Sequence, residues 1–482
     1  MNSADDGLAA LEARLAHDLR CLNHPPAEWV KAKAAPDGTR ALDVAIVGAG
    51  MVGQAAAFGL LREGIAHIRV FDRAPEGFEG PWATYARMLT LRSPKDLTGP
   101  ALGMGALTFR AWYEARHGAE GWAALYKIPN LVWRDYLLWL RRVLNLPVAN
   151  GTAVARLVPD GALFRLEFEG PRAPVHARRV VFATGREGLG VPQIPAPFLH
   201  MPRALRPHSA DAIDFAAFKG KRVAVIGASA SAFDNAAAAL EAGAASTHLF
   251  CRRTRLPAVN KFKAIVHPGF VHGHLSAGDE WRWRSFFHAF APRVAPAHES
   301  LLRLAPFDGF KLRLGEEVRA ARVEDGAITL ETNKARRRCD VAILATGFTM
   351  DPRHRPELDA VLADIALWRD RYAPPAAERA EELGRFPYLG EDYAFTPREA
   401  GAAPHLARLH CFNYAAILSH GALSGDVPSV SHGAERLARG IARAFYNEDC
   451  ALHAADVAAY DERELKGGEL PARAYTDEME TQ

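Results

Sequence analysis

Gly48-Ala49-Gly50-Met51-Val52-Gly53 has the spacing G-x-G-x-x-G. A turn of this kind can press backbone against a pyrophosphate. The first glycine makes the bend, the second clears a side chain from the phosphate, and the third lets the following helix pack on the preceding strand. The glycines alone are a weak signal, and their context strengthens them. They follow an apolar, β-branched run, Asp43-Val44-Ala45-Ile46-Val47, and open an alanine-rich helical stretch. A helix starting there aims its free N–H groups at the phosphate charge. Asp72 stands 19 residues past Gly53, after a second strand, Ile68-Arg69-Val70-Phe71. A carboxylate at that point accepts hydrogen bonds from ribose hydroxyls. These residues predict an adenine dinucleotide site.

A second turn, Gly227-Ala228-Ser229-Ala230-Ser231-Ala232, follows the strand Arg222–Ile226 and opens another alanine-rich helix, about 180 residues after the first turn. Ser229 and Ala232 replace the second and third glycines, and both are small enough to leave room for phosphate. The next strand, Thr247–Cys251, runs into Arg252-Arg253, 20 and 21 residues past Ala232. Arginine in this place suits the 2′-phosphate of NADP rather than a free ribose hydroxyl. Asp72 selects FAD or NAD at the first turn. Two Ala-Thr-Gly turns, Ala183-Thr184-Gly185 and Ala345-Thr346-Gly347, each follow a buried strand, where glycine permits the sharp bend. Two dinucleotide sites in one chain point to a flavin and a nicotinamide. FAD is expected on Gly48, Gly50, Gly53, Asp72, Thr184 and Gly185. NADPH is expected on Gly227, Ser229, Ser231, Ala232, Arg252 and Arg253, with Thr346 and Gly347 at the second Ala-Thr-Gly turn.

The elements that must position these residues predict an α/β fold. It has two Rossmann-like dinucleotide-binding domains, the NADPH domain inserted in the FAD domain. The expected divisions are an N-terminal helical arm at 1–40, a first FAD part at 41–215, the NADPH domain at 216–335, and a second FAD part with C-terminal helices at 336–482. In the arm, Leu11, Leu15, Leu19 and Leu22 recur at helical spacing until Pro25-Pro26 stop them. Helical patterns lie at Ala111–Arg116 and Trp133–Val143, β-rich sequence at Ala153–Phe182 and Pro306–Thr332, a buried strand at Asp340–Leu344, and a last helical region at about Val430–Tyr460. The polar tail Leu470–Gln482 is expected to fray.

Composition narrows the function. The 482 residues carry 59 Lys+Arg and 56 Asp+Glu, a net charge of +3 that implies no nucleic-acid partner. No apolar run reaches the roughly 20 residues needed to span a bilayer. The five cysteines lie far apart with no C-x-x-C pair. That argues against a zinc site, a disulfide framework or a disulfide reductase with a redox dithiol. Their odd number and the missing secretory signal point to the cytoplasm. The 19 histidines form no metal-ligating spacing.

From roughly residue 40 to 450 the chain resembles the class B flavoprotein monooxygenases, which include flavin-containing monooxygenases, Baeyer–Villiger monooxygenases and amine N-hydroxylases. The resemblance rests on both glycine-rich turns, Asp72, Gly80-Pro81-Trp82, Ala183–Gly185, Asp234, Arg252-Arg253 and Leu344–Phe348. It implies FAD, with Trp82 among its contacts, and NADPH as reductant. It also implies a flavin C4a-(hydro)peroxide shielded by retained NADP⁺. His208-Ser209 only partly meets the F-x-G-x-x-x-H signature, and the Baeyer–Villiger Y-P-G segment is absent after Trp82. Ser93-Pro94-Lys95-Asp96-Leu97, Leu107-Thr108-Phe109, Pro257–Phe262 and His420–Ser424 with Ser429, Val430 and Arg436 are similar to segments of ornithine and lysine N-hydroxylases. Those enzymes carry a glutamine where Leu89 follows Met88.

The expected reaction is therefore oxygenation of a nucleophilic heteroatom, foremost N-hydroxylation of a small amine or amino acid. Baeyer–Villiger or S-oxygenation and a non-oxygenating NADPH:flavin oxidoreductase are the alternatives. Lys95 and Arg92 are the candidate anchors for a substrate carboxylate and the peroxide anion, and Asn260 would orient Lys95 or the substrate. His208, beside Pro207, reads as structural or cofactor-adjacent rather than as a base. Trp281, Trp283 and Phe286-Phe287 read as a core patch. Gly425-Asp426 precedes a helix, where capping is the expected role. The expected partners are a small-molecule substrate and O2, with self-association left open.

Overall fold

The computed structural model describes residues 3–474. The tail expected to fray lies, from 475 onward, outside the described residues. The first sheet forms around the strand Leu42–Val47, whose central residues are fully buried. Its parallel neighbours are Ile68–Phe71 on one side and Val175–Phe182 on the other. Val148–Ala149 extends one edge in parallel, and a late strand, Leu409–Cys411, pairs with Val175–Phe182. Leu163–Phe168 and Val154–Asp160 complete the sheet as an antiparallel meander. Strands buried on both faces read as continuous apolar runs, which is why Val44–Val47 and Val180–Phe182 show no alternation.

The second sheet is wholly parallel, in the order Phe310–Leu314, Ser246–Cys251, Arg222–Ile226, Val341–Leu344. The chain crosses into this unit along Gly190–Pro192 and returns along Phe348–Met350, and these two segments pair antiparallel. This is the inserted arrangement expected from the two turns. Phe198 and Met201 already pack under the second sheet, and Val341–Leu344 is one of its strands. A short apolar strand carries no local mark of the sheet it joins. The helices Pro268–Gly273 and Asp279–Phe290 leave the second unit and pack on the first core.

The N-terminal helix, Ser3–Cys21, lies on the body as expected, with Leu11 and Leu15 buried. Gly7 touches the helix Phe109–Ala124 so closely that a Cβ would stand 2.1 Å from the Ala115 carbonyl oxygen. The last helical region is two helices, Val430–Glu448 and Cys450–Ala459. The first of them packs along Met51–Arg62. Among the described residues no helix is long and apolar enough to cross a membrane. In the expected aromatic patch, Trp283 and Phe286 are buried but Trp281 is exposed.

Candidate active site

At the first turn the strand Leu42–Val47 ends in Gly48, whose φ of +105° favours glycine. A Cβ on Gly53 would lie 1.8 Å from the Gly48 carbonyl oxygen, so the helix Met51–Arg62 sits as near the strand as backbone allows. Gly50 differs, because a Cβ there would meet only the Gly80 backbone, at 3.8 Å. That open face, at the N-terminus of a twelve-residue helix with no side-chain cap, leaves N–H groups free for phosphate. The Asp72 carboxylate accepts from the N–H groups of Ala49 (2.7 Å) and Ala74 (2.8 Å). It is thereby fixed across the turn while keeping lone pairs for a ribose. Trp82 sets its ring edge-on to Trp133 at 6.3 Å, and its carbonyl accepts from Asn130. The residues present fit a dinucleotide.

The second turn repeats the geometry more loosely. Gly227 has φ of +131°, and a Cβ there would meet the Ala345 carbonyl oxygen at 2.2 Å. Ser229 is the N-cap residue of the helix Ala230–Glu241 and makes no side-chain cap bond. The Ser231 carbonyl accepts from Asn235, and Ala232 is fully buried with its methyl accommodated. Arg252 and Arg253 are exposed at the end of the strand, and Arg253 donates to the Pro292 carbonyl at 2.9 Å. Backbone N–H groups, small side chains and exposed guanidinium groups fit a second, phosphorylated nucleotide.

The two Ala-Thr-Gly turns lie at the crossing between the units. Thr184 donates to the Gly188 carbonyl at 2.9 Å, and Gly185 has φ of +72°. Thr346 donates to the Gln193 carbonyl, and Gly347 has φ of +81°. His208 Nδ1 accepts from the Ala210 N–H, so its proton sits on Nε2, 3.1 Å from the Gly347 carbonyl oxygen. Burial holds this imidazole below its usual pKa. It is a neutral brace for the turn, as its setting beside Pro207 suggested.

The three candidate catalytic side chains are not brought together as a carboxylate anchor. Lys95 Nζ donates to the Trp122 carbonyl (2.7 Å) and lies 4.9 Å from the Trp122 ring centroid, closing the end of a helix. Asn260 caps the short helix Lys261–Ile265 by accepting from the Phe262 N–H at 3.2 Å. Arg92 donates to the Ala295 carbonyl at 2.8 Å. It is accessible to solvent yet surrounded by protein, which lowers its pKa, with Arg186 adding to the effect. Lysine and asparagine side chains reach backbone carbonyls and N–H groups as readily as ligands, and sequence does not say which partner is nearer.

Two residues that sequence reasoning missed, Asn413 and Arg186, lie at the first Ala-Thr-Gly turn. Asn413 donates through Nδ2 to the Phe182 carbonyl and to Thr184 Oγ1, both at 3.1 Å, and its Oδ1 accepts from Ala415. Phe182 and Thr184 lie more than 200 residues away, beyond any local signal. Arg186 directly follows the first Ala-Thr-Gly turn, a position that could have flagged it, and stacks 4.4 Å from the Tyr414 ring centroid. Asp426 does not cap the following helix, whose N-cap residue is Ser429. Burial raises its carboxyl, against the pull of Arg186 and Arg92. Burial also pushes the Tyr85 phenol, beside Arg186 and Glu187, up to about 12. Among the described residues no group of three or more His, Cys, Asp or Glu could hold a metal.

Comparison with known proteins places the chain in a family. Residues 45–272 match the family described as pyridine nucleotide-disulphide oxidoreductase. The chain is 39% identical over 463 residues to an FAD-dependent urate hydroxylase from Xanthomonas campestris pv. campestris, covering 95% of this chain and 98% of that one. Among solved structures it is similar to the ornithine hydroxylase of Pseudomonas aeruginosa, with TM-score 0.64 and 17% identity. The L-lysine 6-monooxygenase of Pseudomonas syringae gives TM-score 0.62 and 18% identity. Each structural likeness covers 84% of this chain and 99% of the other. The chain belongs to the FAD-dependent flavin monooxygenases. Its five cysteines are all free, and three of them are buried.

Proposed function

We propose that this enzyme hydroxylates urate or a closely related oxopurine, using FAD, a reduced nicotinamide nucleotide and O2. The observation that carries the reading is the 39% identity, across 95% of the chain, to an FAD-dependent urate hydroxylase. The cleft supports it, because a planar, electron-rich ring suits a site bordered by Arg92, Arg186, Tyr85 and Tyr414 better than a flexible aliphatic amine does.

FAD would lie on Gly48, Gly50, Gly53 and Asp72, reaching Trp82, Thr184 and Gly185. The nicotinamide nucleotide would lie on Gly227, Ser229, Ser231 and Ala232, with Thr346 and Gly347 beside it and Arg252 and Arg253 on its 2′-phosphate. Reduced flavin supplies the electrons and activates O2 for transfer of one oxygen atom. The chain supplies alignment, exclusion of water and positive charge around the reacting groups.

The second reading is N-hydroxylation of a small amine bearing a carboxylate, motivated by Lys95-Asp96-Leu97 and Val259-Asn260. It needs Lys95 free for the carboxylate, whereas Lys95 is held by the Trp122 carbonyl. A panel of urate, xanthine, ornithine, lysine, cadaverine, a cyclic ketone and a thioether separates the readings, with NADPH oxidation and peroxide release followed together. The expected result is coupled turnover with urate alone or with urate and xanthine. Coupled turnover with an amine and none with urate would replace the first reading by the second.

A further inference from the structure

Arg186 and Asp426 are opposite charges carried on two adjoining turns. Arg186 lies on the turn after the strand Val175–Phe182, and Asp426 on the turn after the helix Ala422–Ser424. Two bonds lock these turns together: Asn413 Nδ2 donates to Thr184 Oγ1 at 3.1 Å, and Ser424 Oγ donates to the Asn413 carbonyl at 2.7 Å. Asn413 and Ser424 are both fully buried. The scaffold is therefore rigid, while the groups it carries are not used by it. Arg186 is held only through its stack on Tyr414, which leaves the fork of N–H donors free. Asp426 makes no side-chain cap to the helix that follows it. The cations acting on its carboxylate are Arg186 and Arg92, and Arg92 is tethered on the far side by the Ala295 carbonyl.

We infer that Arg186 and Asp426 are the pair that reads the edge of the substrate ring. The guanidinium of Arg186 donates to a ring carbonyl or anionic nitrogen, the carboxylate of Asp426 accepts from a ring N–H, and Tyr414 holds the guanidinium in place. This deepens the proposed function and rests on it. An oxopurine presents donors and acceptors side by side on one rigid edge, which a donor fork and a neighbouring carboxylate can match together. An aliphatic amine presents no such edge. A site built to hydrogen-bond both kinds of group rejects analogues that leave either one unpaired.

The test is binding of urate to the FAD-loaded enzyme without NADPH, followed by perturbation of the oxidised flavin spectrum. Arg186→Gln and Asp426→Asn are each expected to weaken urate by at least about tenfold, the scale of a lost charge-assisted bond. Arg186→Lys, which keeps the charge and loses the fork, should fall between Arg186→Gln and wild type. FAD content and melting temperature report whether each variant folds. A series of mono-N-methylated urates on the wild-type enzyme does not depend on any variant. One of them should bind at least about tenfold more weakly than urate, and Asp426→Asn should erase most of that difference. Wild-type affinity in both variants, or equal binding of every methylurate by the wild type, would overturn the assignment and leave urate hydroxylation standing. A wild-type spectrum that urate does not perturb would overturn both.

Discussion

The two nucleotide turns share a strand–turn–helix plan and differ in tightness. In the first, Gly53 leaves no space for a methyl group, with the Gly48 carbonyl oxygen 1.8 Å from where a Cβ would stand. In the second, Ala232 fills the corresponding place and its methyl is buried without conflict. The first turn is also tied across by the Asp72 carboxylate, at 2.7 Å from the Ala49 N–H. The second ends in exposed arginines, one bonded only to the Pro292 carbonyl. Backbone pressed on backbone and braced by a carboxylate suits a cofactor that stays bound. A looser turn with mobile cations suits a nucleotide that must come and go.

Several substitutions break or sharpen that contrast. Gly53→Ala should cost about 3 kcal/mol, because the overlap is with backbone that cannot swing aside. The expected signs are a lower melting temperature and poor FAD occupancy in the purified protein. Replacing Arg252 and Arg253 together by alanine should remove most of the preference for NADPH over NADH, by about 1.5–3 kcal/mol in the ratio of flavin reduction rates. Equal rates with the two nucleotides in the wild type would show that these arginines serve another purpose. Asp72→Ala should lower FAD affinity by about 1.5–3 kcal/mol, read by titrating the apoenzyme with FAD. Ala232→Gly should cost only about 1 kcal/mol, through helix propensity, and leave nucleotide binding in place.

The smallest effect concerns the brace between the units. Burial lowers the His208 pKa, opposed by Asp211 and aided by Arg203. The unfolded chain therefore binds the proton more readily than the folded one. The stability from neutral His208 is present above the ordinary imidazole value of about 6.5 and is lost as pH falls toward the depressed folded value. Protonated Nδ1 cannot accept the Ala210 N–H, a loss of about 1 kcal/mol. The melting temperature of His208→Asn should change less between neutral and mildly acidic pH than that of the wild type.

What the sequence made legible was local. Gly48, Gly50, Gly53 and Asp72 lie within 25 residues and adjoin strands of plain apolar character, so the fold class could be read from them. The turn Gly227–Ala232 likewise follows an apolar strand and opens a helix. Lys95, Arg92 and Asn260 were chosen by type and by resemblance to short segments. Their partners, the carbonyls of Trp122 and Ala295 and the N–H of Phe262, depend on which backbone group the fold brings within reach. Asn413 escaped notice because it joins turns separated by more than 200 residues. Val341–Leu344, for a related reason, reads as a buried strand in either sheet.

The central claim is that electrons from the nicotinamide nucleotide are spent on hydroxylating an oxopurine. The most direct measurement is the stoichiometry of a single reaction mixture of enzyme, NADPH, urate and isotopically labelled O2, with peroxide quantified alongside. The account predicts equimolar loss of NADPH, O2 and urate, one labelled oxygen atom in the product, and little peroxide. NADPH consumed with an equal amount of peroxide formed, and urate left untouched and unlabelled, would contradict it.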